Sequence, residues 1–267
     1  MSAAIVMPDA DMSLAFPSIL FSAVGTAGQR CTSTRRLYLH RSIAPIFLER
    51  LQAAYATIPI GDPLHSSTLI GPLHSRAAIK VHGDSIADIR ESGGSILAGG
   101  TPYVPPQHEL KNGNFVLPAI VIPNSSPSTT AAKEKIDRLW NQETFAPVLK
   151  VALFDELEEA IELNNSVPQG LSSSLWSNDV RNLGKWIGPN GSDAGIVNVR
   201  TTIFGEYRSC SLVNSSMLAR VAQRLVQPSA GTRAPDGMLC VSSIMVSVST
   251  DTISGAESLG VMLGNSM

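Results

Sequence analysis

One stretch of the chain is equipped for nucleophilic chemistry. In Phe21–Arg36, FSAVGTAGQRCTSTRR, a single cysteine, Cys31, follows a Gly-Gln-Arg turn at the end of an apolar run. A thiol is the side chain nearest to being nucleophilic at neutral pH. A lone cysteine is ordinarily a small buried core residue. Core cysteines are not typically flanked by Gly-x-x-Gly-Gln-Arg on one side and Thr-Ser-Thr-Arg-Arg on the other, and Arg30, Arg35 and Arg36 would each favour a thiolate if they lie close. Gly25 and Gly28 break the run and free the backbone for conformations closed to other residues. Cys31 is therefore expected on a tight loop leaving a helix. Such a loop can aim backbone N–H groups at the group Cys31 attacks, as a developing oxyanion requires.

Other candidates are weaker on composition alone. Glu143 and Phe145, in ETFAP, read as part of an ordinary loop before a strand, the Glu solvated and the Phe buried. Arg30 reads as a surface charge or half of a local ion pair, although a guanidinium beside a reacting carbon could hold a carboxylate bidentately. The histidines at His40, His65, His74, His82 and His108 are scattered outside any metal or protease motif and read as structural or solvated. Three cysteines, Cys31, Cys210 and Cys240, form an odd set without metal-site spacing. No G-x-G-x-x-G loop is present.

The elements that must position these residues alternate in period. Ala3–Met7 reads as a strand, Ser13–Val24 as about three helical turns capped by Asp11, with Pro17 awkward in the second turn. Arg36–His40 reads as a strand, and Ser42 starts a helix with Pro45 in its first turn and Phe47, Leu48, Leu51, Ala54 and Tyr55 on one face. Ser75–Glu91 is a helix stopped by Gly93-Gly94, Ser95–Ala98 a strand, Gly99–Asn114 a loop and Phe115–Ile122 a strand. Asp155–Asn165 and Asp179–Ile187 read as helices, Leu171–Trp176 and Gly195–Val199 as strands. Asn124–Gln142 starts Ser/Thr-rich and ends in AAKEKIDRLW; it is either a helical insert or an error of the gene sequence. This alternation predicts an α/β fold with a mostly parallel sheet flanked by helices.

The bulk numbers fit. A chain of 267 residues, 43% hydrophobic and 16% charged, can bury a sizeable core in one or two domains. A net charge of −2 and a pI near 6.2 give no basic excess for nucleic acid or an anionic membrane. No apolar run is long enough to span a bilayer, and the acidic start MSAAIVMPDADMS does not read as a secretory signal. The chain reads as intracellular, reduced and metal-free, cytoplasmic or mitochondrial. After Arg200 lysine disappears and serine and threonine become frequent. Residues 1–200 are thus expected to form one domain, and 201–267 a divergent tail of unassigned fold.

The segment VGTAGQRCTSTRRLYLH resembles the cysteine active-site segment of the aldehyde dehydrogenase superfamily, with most likeness to its antiquitin (α-aminoadipic semialdehyde dehydrogenase) branch. AIVMPDADMSLA, GPLHS, ETFAPVLKV, NNSVPQGLSSSLWS and GPNGSDAGIVNV resemble further family segments, in family order. The resemblance implies the catalytic-domain fold, homo-oligomers and NAD as cofactor. It implies that Cys31 forms a thiohemiacetal with an aldehyde or semialdehyde, that Glu143 hydrogen-bonds the nicotinamide ribose, that Phe145 packs near the nicotinamide, and that Arg30 takes a substrate carboxylate. The family's dinucleotide-binding half, its Glu-Leu-Gly-Gly general base and its oxyanion asparagine would fall before Met1. Pro17 and the sequence beyond Arg200, where only FGEY at 204–207 matches, depart from the family pattern. An NAD-dependent aldehyde dehydrogenase is the first expectation. A non-catalytic remnant or interaction module is the second, and a thiol hydrolase the third.

Overall fold

Strands that are apolar at consecutive positions must be covered on both faces, and the strand Ser2–Val6 (β1) is buried at every position. Ala4 and Val6 join one core cluster, Ala3 and Ile5 another, as the two-residue period of a strand requires. The computed structural model describes residues 1–126 and 128–200, together with the short strands Cys210–Ser211 and Val246–Val248. The expected tail, 201–267, lies outside the described residues apart from those two strands.

In chain order the elements are β1, the helix Met12–Val24 (α1), Thr34–His40 (β2), Ala44–Ala56 (α2), Arg76–Glu91 (α3), Ser95–Ala98 (β3), Ala119–Ile122 (β4), Thr130–Asn141 (α4), Val148–Phe154 (β5), Leu157–Asn165 (α5), Ser172–Trp176 (β6), Val180–Ile187 (α6), Ile196–Val199 (β7), Cys210–Ser211 (β8) and Val246–Val248 (β9). They build one sheet in the order β3-β4-β5-β2-β1-β6-β7-β9-β8. The pairs are parallel except β3 with β4 and β8 with β9. This is the expected mostly parallel α/β architecture. On one face Ala15, Ile19 and Ala23 of α1 and Phe47 and Leu51 of α2 cover Leu37, Leu39, Leu149 and Val151. On the other, Leu157, Ala160 and Ile161 of α5 and Trp186 of α6 cover Tyr38, Phe154 and Leu175, while Ile86 and Ile89 of α3 and Leu139 of α4 cover Ala119, Val121 and Val148.

Several boundaries differ from the sequence reading for local reasons. Asp11 does cap α1, accepting from the Ser13 N–H at 2.9 Å, and these bonds hold its carboxyl below the usual range. Pro17 sits inside α1 without ending it. The second helix begins at Ala44 rather than Ser42: the Ser42 hydroxyl is turned to His40 Nδ1, 2.8 Å away, and Ile43 occupies the cap without a side-chain bond. The strand expected over Phe115–Ile122 is confined to Ala119–Ile122, because Pro118 has no N–H to place in a ladder. Within 124–142 a helix does form. The Thr129 hydroxyl caps it at 3.2 Å, Ile136 and Leu139 face the core, and Lys135 and Arg138 reach Glu91 and Asp88 of α3.

Candidate active site

The sheet order decides which loops meet. β2 and β5 are parallel neighbours, with Arg36 paired to Lys150. The segments that enter these two strands therefore lie side by side at the amino edge of the sheet. One carries Cys31, the other carries Glu143 and Phe145.

The Cys31 loop starts with a tight turn at Gly25–Gly28. Thr26 (φ 52°), Ala27 (φ 54°) and Gly28 (φ 67°) are all left-handed. Glycine is obligatory only at Gly28, where a Cβ would lie 2.7 Å from the backbone carbonyl of Ala146. Gly25 was expected to carry the unusual backbone as well, but its φ is −52° and a Cβ there would meet nothing closer than 3.6 Å. The strain falls instead on Thr26 and Ala27. Gln29 then ties the loop to GPLHS: its Oε1 accepts from the His74 N–H at 2.9 Å, and its Nε2 donates to Pro72 O at 3.3 Å. Cys31 is exposed and carries a free thiol. Its backbone N–H makes no hydrogen bond within the described residues.

Arg35 joins the parts. Its guanidinium donates to Gly28 O at 2.8 Å, to Arg30 O at 2.9 Å and to Glu143 Oε1 at 2.5 Å, and its Cζ lies 4.9 Å from the centroid of the Phe145 ring. The side chain is only 2% exposed. Burial lowers its pKa, while the Glu143 carboxylate, by hydrogen bond and charge, and Cys31, by charge, favour the guanidinium's ionised form. Arg36 was expected to help polarise Cys31 if close; it points to the other face of the sheet. There it donates to Met1 O, Leu163 O and Asn164 O and lies buried as a structural cation. Consecutive strand residues face opposite ways, so only one of the two arginines could serve the loop. The alternation is legible in the sequence, but which of the two arginines faces the loop is set by the seating of β2 between β1 and β5.

Glu143 and Phe145 are each about a third exposed, at 36% and 37%. Phe145 has φ 47°, so three of the four described non-glycine residues with positive φ, Thr26, Ala27 and Phe145, lie on these two segments. Strain of this kind concentrates at functional sites. Glu143 also borders a cleft of about 580 Å³ between α3 and α4, which Lys80, Asp84, Asp88 and Arg138 line with it. Cys31 does not line that cleft. The Arg30 guanidinium carbon lies 5.9 Å from the Phe21 ring centroid, on the outer side of α1. Of the histidines, His74 holds Gln29, His40 packs edge-on against Phe154, and His82 is buried at 1% exposure with no partner for Nε2. His65 bonds Ser67, and His108 lies exposed in a short turn. No cluster of three potential metal ligands occurs among the described residues.

The arrangement thus presents an exposed thiol beside a buried guanidinium, with a glutamate and a strained phenylalanine on the adjoining segment. Comparison with known proteins fits this geometry. The profile of the aldehyde dehydrogenase family matches residues 1–211. The chain belongs to the aldehyde dehydrogenase family. It is 51% identical over 198 residues to aldehyde dehydrogenase family 7 member A1 of Pisum sativum, covering 74% of this chain and 36% of that protein. It is 42% identical over 206 residues to the alpha-aminoadipic semialdehyde dehydrogenase of Mus musculus, covering 76% and 35%. Among solved structures, lactaldehyde dehydrogenase from Escherichia coli is 30% identical with a TM-score of 0.66, over 77% of this chain and 40% of that one. Betaine aldehyde dehydrogenase from Staphylococcus aureus, in complex with NAD+, is 25% identical with a TM-score of 0.67, over 79% and 39%. The chain spans little more than a third of the length of these curated relatives. No helix of the described residues is long and apolar enough to cross a membrane.

Proposed function

We propose that Cys31 is the nucleophile of an NAD-dependent aldehyde oxidation and that its substrate is a semialdehyde with a distal carboxylate, such as α-aminoadipic semialdehyde. The single observation that carries this reading is the Arg35 hub, whose one buried guanidinium joins the Cys31 loop, Glu143 and Phe145. The Cys31 thiolate adds to the aldehyde carbon, a C–S bond forms, and the carbonyl π pair moves onto oxygen. The Cys31 N–H is one donor for that oxyanion, and removing one such donor typically costs about 10²–10³ in rate. Arg35 keeps a fixed positive charge beside the Cys31 loop and gives up no proton. Arg30, next in the chain, pairs with the distal carboxylate.

Glu143 and Phe145 suit the ribose and nicotinamide end of a dinucleotide: Glu143 is accessible at the mouth of the cleft, and the Phe145 ring is partly exposed. When bound, the cofactor supplies an acceptor for the hydride of the substrate carbon. Glu143 would orient the ribose through its carboxylate, which the ion pair with Arg35 holds in place.

The test uses the chain itself. Brief alkylation of Cys31 is followed by mass spectrometry in the presence of a semialdehyde carrying a carboxylate or a neutral aldehyde of equal size. The carboxylate-bearing compound should protect Cys31 at about ten- to a hundredfold lower concentration, the worth of a charge-assisted pair. Arg30→Ala should remove that preference and leave neutral-aldehyde protection in place. Equal protection by both compounds in the native chain would refute the carboxylate role.

A further inference from the structure

Lys150 lies in the interior of β5, between Leu149 and Val151, and is 0% exposed. An ammonium there must find oxygen. Its Nζ donates to Leu139 O, to Gln142 O at 3.4 Å, and to Met1 Sδ at 3.6 Å. Leu139 belongs to the last turn of α4, and Gln142 is its C-cap. These are carbonyls that a helix leaves without internal partners, at the negative end of its dipole. The next residue is Glu143.

We infer that Lys150 is a positioning residue for Glu143: from within the sheet it fastens the last turn of α4 and so fixes where the chain enters the segment that meets Arg35. The functional consequence rests on the reading of Glu143 as a cofactor contact; the fastening does not. Trp140, between the two bonded residues in sequence, stacks on Tyr38 at 6.3 Å and seats the same turn on β2. Without the cation, the Leu139 carbonyl would be left buried and unpaired, and the turn would fray at the point where it hands over to Glu143.

The charges facing Lys150 set a pH at which the fastening changes. From β2 come Arg36 and Arg35, which oppose its charge; Glu143, after α4, favours it. The Met1 amino group is repelled by Lys150 in turn, and α4 offers carbonyls. Burial, reinforced by the two arginines, lowers Lys150 to about 7 from 10.5. The unfolded chain therefore binds more protons between those values, and global stability rises with pH across that window. A local opening in which the α4 turn lifts while Nζ stays inside the sheet has the opposite sign, because the open state then holds the proton less well than the native one. As Lys150 loses its charge near pH 7, its bonds to the α4 carbonyls weaken, because charge-assisted bonds are the stronger ones. A lysine that merely filled space would change global stability alone.

Hydrogen exchange of the whole chain, read by mass spectrometry and corrected for intrinsic rates, separates these cases. Peptides covering 139–146 are compared with peptides covering β2, at pH 6 and pH 8. In the native chain, protection of 139–146 relative to β2 should fall severalfold from pH 6 to pH 8. Lys150→Met should lower it about tenfold at pH 6, the size of one net hydrogen bond, and abolish the pH dependence. Relative protection that is constant from pH 6 to pH 8 in the native chain would overturn the inference, even if the variant fails to fold; so would equal protection in a folded Lys150→Met. No cofactor enters the readout, so failure of the cofactor reading would leave this result standing.

Discussion

Gly28 is the point at which the Cys31 segment touches the Glu143 segment. Any side chain there meets the Ala146 backbone while the residue holds φ 67°. Gly28→Ala is therefore expected to destabilise the protein by about 2–4 kcal/mol, combining left-handed strain with a clash against backbone that cannot swing away. Urea unfolding measures this, and Gly25→Ala, with open space and an ordinary φ, serves as the mild comparison. Arg35 is the second such residue. Arg35→Met removes a charged donor from Gly28 O, Arg30 O and Glu143 together. A loss of roughly 2–4 kcal/mol is expected, kept below the sum of three bonds because Glu143 is a third exposed and water can replace part of its contact. The same variant should slow alkylation of Cys31 at neutral pH, since the neighbouring positive charge is gone. An unchanged alkylation rate would show that Arg35 acts on the loop's shape and not on the thiol's charge.

At the scale of elements, α3 carries an instructive defect. His82 faces the core from its inner side with Nε2 unpaired, and burial lowers its pKa to about 4 from 6.5. The unfolded chain then binds more protons between pH 6.5 and 4, so stability is lost as pH falls through that window, by roughly 2–4 kcal/mol. His82→Phe should remove this slope and raise stability at pH 5, as followed by thermal unfolding across pH 4–7. An unchanged slope would place the acid sensitivity elsewhere. α3 itself was legible in the sequence, since Ser75 is a good cap and Ala78, His82, Ser85 and Ile89 recur at helical spacing. α4 was only half legible. AAKEKIDRLW has helical period, but its partners Asp88 and Glu91 lie on α3, at a distance in sequence that no local pattern reports. Strand ends were least legible where a side chain overrode the run, as at Pro118 and Ser42.

At the scale of the molecule, ligands of open parallel sheets generally gather at the carboxyl ends of the strands. Here Cys31 and Glu143 enter β2 and β5 from the opposite, amino edge. The motifs could be read singly from the sequence, but their meeting could not. It follows from β2 lying beside β5, a pairing across more than a hundred residues that sheet order alone creates. The same order explains the buried cations. Arg36 and Lys150 are register partners on one face, and both are held by carbonyls, at the ends of α5 and α4, rather than by acids, although the Arg36 Nε finds no partner. From sequence they look like ordinary strand charges, because the oxygen atoms that hold them belong to backbone.

The central claim is that Cys31 is the reactive thiol of this chain, set apart by its loop and by Arg35. The direct measurement is the order in which Cys31, Cys210 and Cys240 are modified when the native protein is exposed briefly to a limiting alkylating agent and mapped by mass spectrometry, with and without an aldehyde present. The account predicts that Cys31 is labelled first and that the aldehyde slows its labelling alone. Prior labelling of Cys210 or Cys240, or labelling of Cys31 that no aldehyde slows, would contradict it.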